Sequence, residues 1–128
     1  MMKAIKSIFI SIIITLVLTS FSFLSIDDVI NGIRTGNASQ VSKFFDNTVE
    51  LALPERSNSY SKSQAELVLR DFFSNTIVKN FEVLHKGDNA GSQFCIGTLQ
   101  TRNGEYRTTF YMKQKGDRMV LQELRFEK

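Results

Sequence analysis

Residues 61–86 read SKSQAELVLRDFFSNTIVKNFEVLHK, and the apolar side chains change their period within this stretch. Up to Thr76 they recur at helical spacing, with Leu69 and Phe72 on one side. From Val78 onward the period becomes two, which is typical of a half-buried strand. The stretch therefore predicts an amphipathic helix that buries its apolar side on the sheet that follows it.

Four strands are predicted after this helix, over residues 78–86, 93–102, 105–114 and 118–127. Turn-forming segments separate them, and Asn103-Gly104 is the strongest hairpin signal among these. Consecutive strands joined by short turns pair antiparallel, so the C-terminal half is predicted to be a meander.

Two shorter helices and one strand are predicted before residue 61. Apolar residues at helical spacing begin at Ile26, and Asn37 with Gln40 three residues later is typical of a helix cap. Residues 48–53 alternate as a strand, and the polar residues 55–60 are interpreted as a loop. The predicted fold is α+β: a curved antiparallel sheet, made of the meander and the earlier strand, wrapped around three helices in a cone.

The first 22 residues are typical of a cleavable secretory signal. Lys3 and Lys6 precede an apolar run over residues 8–18, and small polar residues follow. Cleavage before Phe23 would leave a single domain, residues 23–128, in the periplasm or outside the cell, with no stable membrane anchor. The alternative is a retained anchor, although the apolar run is shorter than the roughly 20 residues that a spanning helix needs.

The net charge and the cysteine content argue against several classes of function. The net charge is +3, and Lys3 and Lys6 contribute two of these charges. The mature domain is therefore nearly neutral, which does not favour nucleic-acid binding. The single cysteine, Cys95, cannot form an internal disulfide, and one histidine with one cysteine cannot fill a zinc site. Neither a metal nor a cofactor is predicted.

Several segments together resemble a known family. They are Phe44 to Leu51, Tyr60 to Glu66, Asp71 to Phe73, Leu84 to Gly87, Gly97 to Leu99 and Leu124 to Phe126. In this order they resemble small exported proteins of unknown function, found mainly in Bacteroidota. The order of elements is similar to the cone fold of nuclear-transport-factor-like and cystatin-like proteins. The resemblance implies a fold and an exported location, and it implies no activity.

Six polar-tipped residues are candidates for a ligand site at the mouth of the cone, suited to an anionic or aromatic ligand. They are Tyr60, His85, Arg107, Tyr111, Glu123 and Arg125. No catalytic residue is assigned. The leading hypothesis is a non-enzymatic domain that binds a small ligand or a protein partner through the cone or the outer sheet face.

The alternative is an enzyme that works inside the cone, with His85 or Glu123 as the acid–base residue. Glu123 has a simpler interpretation as an outward salt-bridge partner of Arg107 or Arg125. A Cys95–His85 nucleophile depends on register, since a shift of one residue places the two on opposite faces.

In the last two strands, apolar residues occur at odd and at even positions. A sheet with only one covered face should instead alternate between apolar and polar residues. Two explanations remain open. Either a bulge changes the phase, for example near Gly97, or a partner covers the outer face. The second explanation predicts a two-fold homodimer through that face.

Overall fold

A computed structural model of the chain describes residues 25–128. The predicted secretory signal lies outside these residues. The chain is helical over residues 25–34 (α1), Ala38–Ser42 (α2) and Lys62–Thr76 (α3). Within the described range, each helix is too short or too polar to cross a membrane.

Six strands form one curved sheet in the order β2-β1-β6-β5-β4-β3. They are β1 (Phe45–Ala52), β2 (Ser57–Ser61), β3 (Val78–Asn89), β4 (Ser92–Thr101), β5 (Gly104–Lys115) and β6 (Arg118–Glu127). The α+β fold with three helices and a C-terminal meander is confirmed. Strand β1 pairs parallel with β6, whereas the other neighbours are antiparallel.

The interpretation of residues 55–60 as a loop was wrong, because β2 occupies most of this segment as a sixth strand. Its sequence, SNSYS, has no apolar alternation, and only Tyr60 packs partly against the core. Pairing with β1, not burial, makes this edge segment a strand. The predicted strand at residues 48–53 also begins three residues earlier, at Phe45.

The predicted helix cap at Asn37 is present, and Ser61 caps α3 in the same way. The side chain of Asn37 accepts a hydrogen bond from the Gln40 amide at 3.1 Å. The Ser61 hydroxyl accepts one from the Gln64 amide at 3.4 Å. Each bond satisfies a backbone donor that a helix N-terminus leaves unpaired, so local sequence determines where α2 and α3 begin.

All three helices pack against the same face of the sheet, which we call the covered face. The Phe72 ring of α3 lies 4.7 Å from the Phe126 ring and 5.3 Å from the Tyr106 ring, in edge-to-face geometry. Val29 and Ile33 of α1 are fully buried in the same core. The opposite side of the sheet is the open face.

A bulge in β6 explains the mixed parity of the last strand. Tyr111 pairs with Glu123 while Met112 pairs with Leu121, so Gln122 is an extra residue. Leu121 and Leu124 therefore both lie in the core, although they are three residues apart. The bulge lies in β6 and not in β4, which contains Gly97.

A second bulge, at Leu84 of β3, lies next to Gly97 in the ladder, since Val83 pairs with Gly97 and His85 with Ile96. A Cβ atom at position 97 would lie 2.5 Å from the Glu82 carbonyl oxygen. The two strands can approach this closely only because residue 97 is glycine.

Candidate functional site

Five of the six predicted site residues lie on the open face. Tyr111 pairs with Glu123, and Arg125 is the next outward residue along β6. His85 lies on the edge strand β3, and Arg107 lies on β5. These five residues lie on three strands, β3, β5 and β6, of an uncovered surface and do not surround a common cavity.

Arg125 pairs with the two carboxylates that flank it on β6. Its guanidinium lies 3.1 Å from Glu123 and 3.3 Å from Glu127. The hydrogen bond to Glu127 and the charge of Glu123 raise the pKa of Arg125 above its ordinary value. The interpretation of Glu123 as a salt-bridge partner of Arg125 is confirmed.

Tyr60 and Cys95 lie apart from this group. Tyr60 pairs with the fully buried Val49 and packs partly against the core. Cys95 is fully buried on the covered face, and it pairs with Lys86, whereas His85 pairs with Ile96. The bulge at Leu84 thus places His85 and Cys95 on opposite faces. Burial raises the pKa of the Cys95 thiol to about 11, so a Cys95–His85 nucleophile is not formed here.

The structure contains an open cavity of about 560 Å³ beside the C-terminal half of α3. We call it the α3 cavity. It lies between α3, the tight β1–β2 turn, the β4–β5 hairpin and the end of β6. Its lining residues are Leu53, Pro54, Glu55, Arg56, Asp71, Phe72, Asn75, Thr76, Asn103, Tyr106 and Lys128.

The floor of the α3 cavity is aromatic. Phe72 and Tyr106 are both largely buried and meet edge to face. The Lys128 ammonium lies 5.5 Å from the centre of the Tyr106 ring, within the range of a cation–π contact. The floor therefore combines apolar surface with a positive charge at one edge.

The helical wall of the cavity is negative. It carries Asp71, and Asn75 and Thr76 form the last turn of α3, where the helix dipole is negative. The Asn103 side chain donates a hydrogen bond to the Asn75 carbonyl at 3.1 Å, which ties the β4–β5 hairpin to the helix end.

Sequence patterns placed Phe72 on the apolar side of α3 and Asn103 in a hairpin turn, but none of the cavity residues was predicted to line a site. The lining comes from four segments that are distant in the chain. The only relevant local signals were the turns at Pro54 and Asn103-Gly104, which predict loops and not ligand contacts.

The helices packed on one face of a curved, unclosed sheet give the domain the cone fold of nuclear-transport-factor-like proteins. An NTF2-like protein of unknown function from Cytophaga hutchinsonii superposes with a TM-score of 0.58 at 9% identity, over 80% of this chain and 87% of that chain. A de novo designed protein with a curved β-sheet gives 0.64, also at 9% identity, over 84% of this chain and 99% of that chain. At such identities these similarities concern the fold alone.

The chain belongs to the family described as Domain of unknown function (DUF4783), whose model matches residues 26–127. Crystal structures of two family proteins are similar to it at 31% identity. The protein from Bacteroides ovatus gives a TM-score of 0.76 over 79% of this chain and 92% of that chain. The protein from Bacteroides uniformis gives 0.77 over 80% and 94%. Those chains consist almost entirely of this domain.

A search of curated proteins finds no match. Among residues 25–128, no group of three or more His, Cys, Asp or Glu side chains is arranged to hold a metal ion.

Proposed function

We propose that this protein is an exported, non-enzymatic binding domain, and that its α3 cavity takes an amino acid or a short peptide with free ends and an apolar side chain. One observation carries the proposal. The lining of the cavity combines the aromatic rings of Phe72 and Tyr106 with charged side chains of both signs, namely Asp71 on α3 and Glu55, Arg56 and Lys128 from other segments.

The volume of the α3 cavity and its apolar floor are suited to such a ligand. Small-molecule sites typically have volumes of roughly 300–1,000 Å³, and the α3 cavity has about 560 Å³. Leu53 and Pro54 add apolar surface from the β1–β2 turn to that of Phe72 and Tyr106. An aliphatic or aromatic side chain gains free energy by leaving water for this surface.

The charges fit the two ends of the ligand. An ammonium group is favoured beside Asp71 and the C-terminal turn of α3. A carboxylate is favoured between Arg56 and Lys128, since both carry donors that match it. Within residues 25–128, none of these three side chains forms a salt bridge with another residue. Their charges are therefore available to a ligand.

The acid–base candidates do not belong to this cavity. His85 and Glu123 both lie on the open face, and neither lines the cavity. This separation supports binding over catalysis.

The test is an NMR titration of the ¹⁵N-labelled domain, residues 23–128. The probes are L-phenylalanine and L-leucyl-L-phenylalanine, and N-acetyl-L-phenylalanine amide is the uncharged control. We expect both zwitterions to shift the amide signals of Asn75, Asn103 and Tyr106, with a Kd on the order of 1 mM or tighter. The uncharged analogue should bind several-fold more weakly, because it lacks both ionic contacts.

Asp71→Asn and Lys128→Gln should each weaken the binding of the zwitterions about 2–5-fold, as expected for ion pairs of exposed side chains. Arg118→Gln is the matched control, because Arg118 lies at the opposite end of β6. Absence of shifts around the cavity with both probes, up to about 10 mM, would refute this ligand class. Equal affinity for the uncharged analogue would refute the role of the charges.

Export rests on the leader pattern of residues 1–22 and is tested separately. The intact mass of the protein recovered from the producing cells should correspond to an N-terminus near Phe23. Recovery of a membrane-bound chain that still begins at Met1 would favour the retained anchor.

A further inference from the structure

The chain contains two Asn-Gly pairs, Asn31-Gly32 and Asn103-Gly104. When glycine follows asparagine, its backbone nitrogen can attack the asparagine side-chain amide, because glycine has no side chain to obstruct the approach. Every other asparagine precedes a residue that carries a side chain. The two pairs lie in different surroundings, so the fold decides which of them can react.

The pair Asn103-Gly104 lies at the tip of the β4–β5 hairpin, and both residues are exposed. Gly104 has a φ of 114°, in the region that favours glycine. The side chain of Asn103 donates a hydrogen bond from Nδ2 to the Asn75 carbonyl at 3.1 Å, and this bond is itself exposed. A turn at the surface can change its backbone angles without disturbing the core, so the Gly104 nitrogen can reach the Asn103 side chain.

The pair Asn31-Gly32 lies within α1, and Gly32 is buried. Helical backbone angles engage the Gly32 amide in the helix and keep it away from the Asn31 side chain. Helix α2 packs directly on this glycine, since a Cβ atom at position 32 would lie 2.7 Å from a Val41 methyl carbon. Reaction at Asn31 would therefore require local unfolding of α1.

We propose that Asn103 is a site of spontaneous deamidation, and that the reaction releases the end of α3 from the β4–β5 hairpin. The Gly104 backbone nitrogen bonds to Cγ of Asn103 and gives up its proton, and the side-chain nitrogen leaves as ammonia. The product is a succinimide ring. Water then opens the ring: cleavage at Cγ gives aspartate, whereas cleavage at the backbone carbonyl gives isoaspartate. One water is consumed for each ammonia released, and nothing is oxidised or reduced.

The hairpin is joined to the end of α3 by backbone and side-chain hydrogen bonds, which we call the hairpin clamp. The Arg102 amide donates to the carbonyls of Thr76 at 3.2 Å and Ile77 at 3.0 Å. The Asn103 side chain supplies the bond to the Asn75 carbonyl. The clamp thus occupies carbonyl groups that the C-terminus of a helix leaves unpaired.

The hairpin clamp also holds a strained residue, Ile77. Its φ of 56° and ψ of 88° lie in the left-handed region, which is unfavourable for a β-branched side chain. Its amide donates to the Phe73 carbonyl at 3.0 Å and closes the last turn of α3. A strained conformation persists only while the surrounding contacts hold it. Loss of the clamp therefore lets Ile77 leave the left-handed region, and the last turn of α3 opens.

Deamidation weakens the hairpin clamp in two ways. Both products carry a carboxylate in place of the amide, and a carboxylate cannot donate to the Asn75 carbonyl. The new negative charge lies at the negative end of the α3 dipole, and Asp71 and Glu55 line the same cavity. Isoaspartate also adds one atom to the backbone of the turn, which disturbs the pairing of Thr101 with Gly104.

Peptide mapping by mass spectrometry tests the site. Residues 23–128 are incubated in mildly alkaline buffer, folded in one sample and in concentrated guanidinium chloride in the other, and are then digested with pepsin in acid, where deamidation is slow. In the folded sample Asn103 should react about ten-fold or more faster than Asn31, because reaction at Asn31 requires local unfolding. In guanidinium chloride the two should react at similar rates, since glycine follows both. Equal rates in the folded sample, or an Asn103 that reacts only when unfolded, would overturn the assignment.

The variant Asn103→Asp tests the consequence, because it contains the aspartate product from the start. Hydrogen exchange of the Ile77 amide, followed by NMR, should be about five-fold faster than in the wild type, as expected for the loss of one hydrogen bond. Asn58→Asp is the matched control, since it adds the same charge at an exposed position of β2. Unchanged exchange at Ile77 in Asn103→Asp, or an equal increase in Asn58→Asp, would overturn the release of α3.

Discussion

Replacement of Phe72 by alanine tests both the core and the floor of the α3 cavity. Phe72 is 7% exposed, and its ring meets those of Phe126 and Tyr106 edge to face. Truncation of a buried phenylalanine to alanine typically costs about 3–5 kcal/mol. The loss of each aromatic pair accounts for about 0.5–1.5 kcal/mol of that total.

The position of Phe72 beside the α3 cavity predicts a loss of stability in the lower part of this range. Because the ring also lines the open α3 cavity, its removal enlarges a depression that water already reaches and does not create a sealed void. We therefore expect a loss of about 3 kcal/mol. For a domain of about 100 residues this lowers Tm by roughly 12–24 °C.

Urea unfolding followed by far-UV circular dichroism measures this loss. Leu67→Ala is the matched control, because Leu67 belongs to the same helix and is 61% exposed. Its replacement should change the free energy of unfolding by less than about 0.5 kcal/mol. A loss below about 1 kcal/mol for Phe72→Ala would refute the packing described for α3.

Two further predictions concern ionisable groups. Because burial raises the pKa of the Cys95 thiol to about 11, the folded domain should resist iodoacetamide at pH 7–8 and react only after unfolding; rapid labelling of the folded domain would contradict its burial. Asp46 is held by Lys115 at 2.7 Å, and this hydrogen bond lowers the pKa of Asp46 below its ordinary value of 3.8. A lowered pKa stabilises the fold above the ordinary value, and this contribution is lost as the pH falls through the lowered pKa. Lys115→Met should therefore cost about 1 kcal/mol or less at pH 7, and the loss should become smaller as the pH is lowered below 3.8, as measured by urea unfolding. A loss that does not change with pH would exclude the ion pair as its cause.

The sequence alone was sufficient to predict those helices and turns whose formation depends on residues close together in the chain. The helical spacing of Leu69 and Phe72 predicted α3, the cap at Asn37 predicted α2, and the hairpin signal Asn103-Gly104 predicted part of the meander, each within a few residues. Periodicity and capping depend on residues three or four positions apart, so they can be recognised without knowledge of the packing.

Only the tertiary structure decided which face each strand residue occupies. The bulges at Leu84 and Gln122 change the phase within β3 and β6, and the Gln122 side chain donates a hydrogen bond to Asp46 on β1. The pairing of β1 with β6 joins segments about 75 residues apart. Such features depend on how distant segments pack, and a change of one residue in register turns every later side chain to the other face. Long-range packing also explains why the cavity was not predicted. Five predicted site residues are spread over the open face, whereas the α3 cavity exists only because four distant segments meet at the end of one helix.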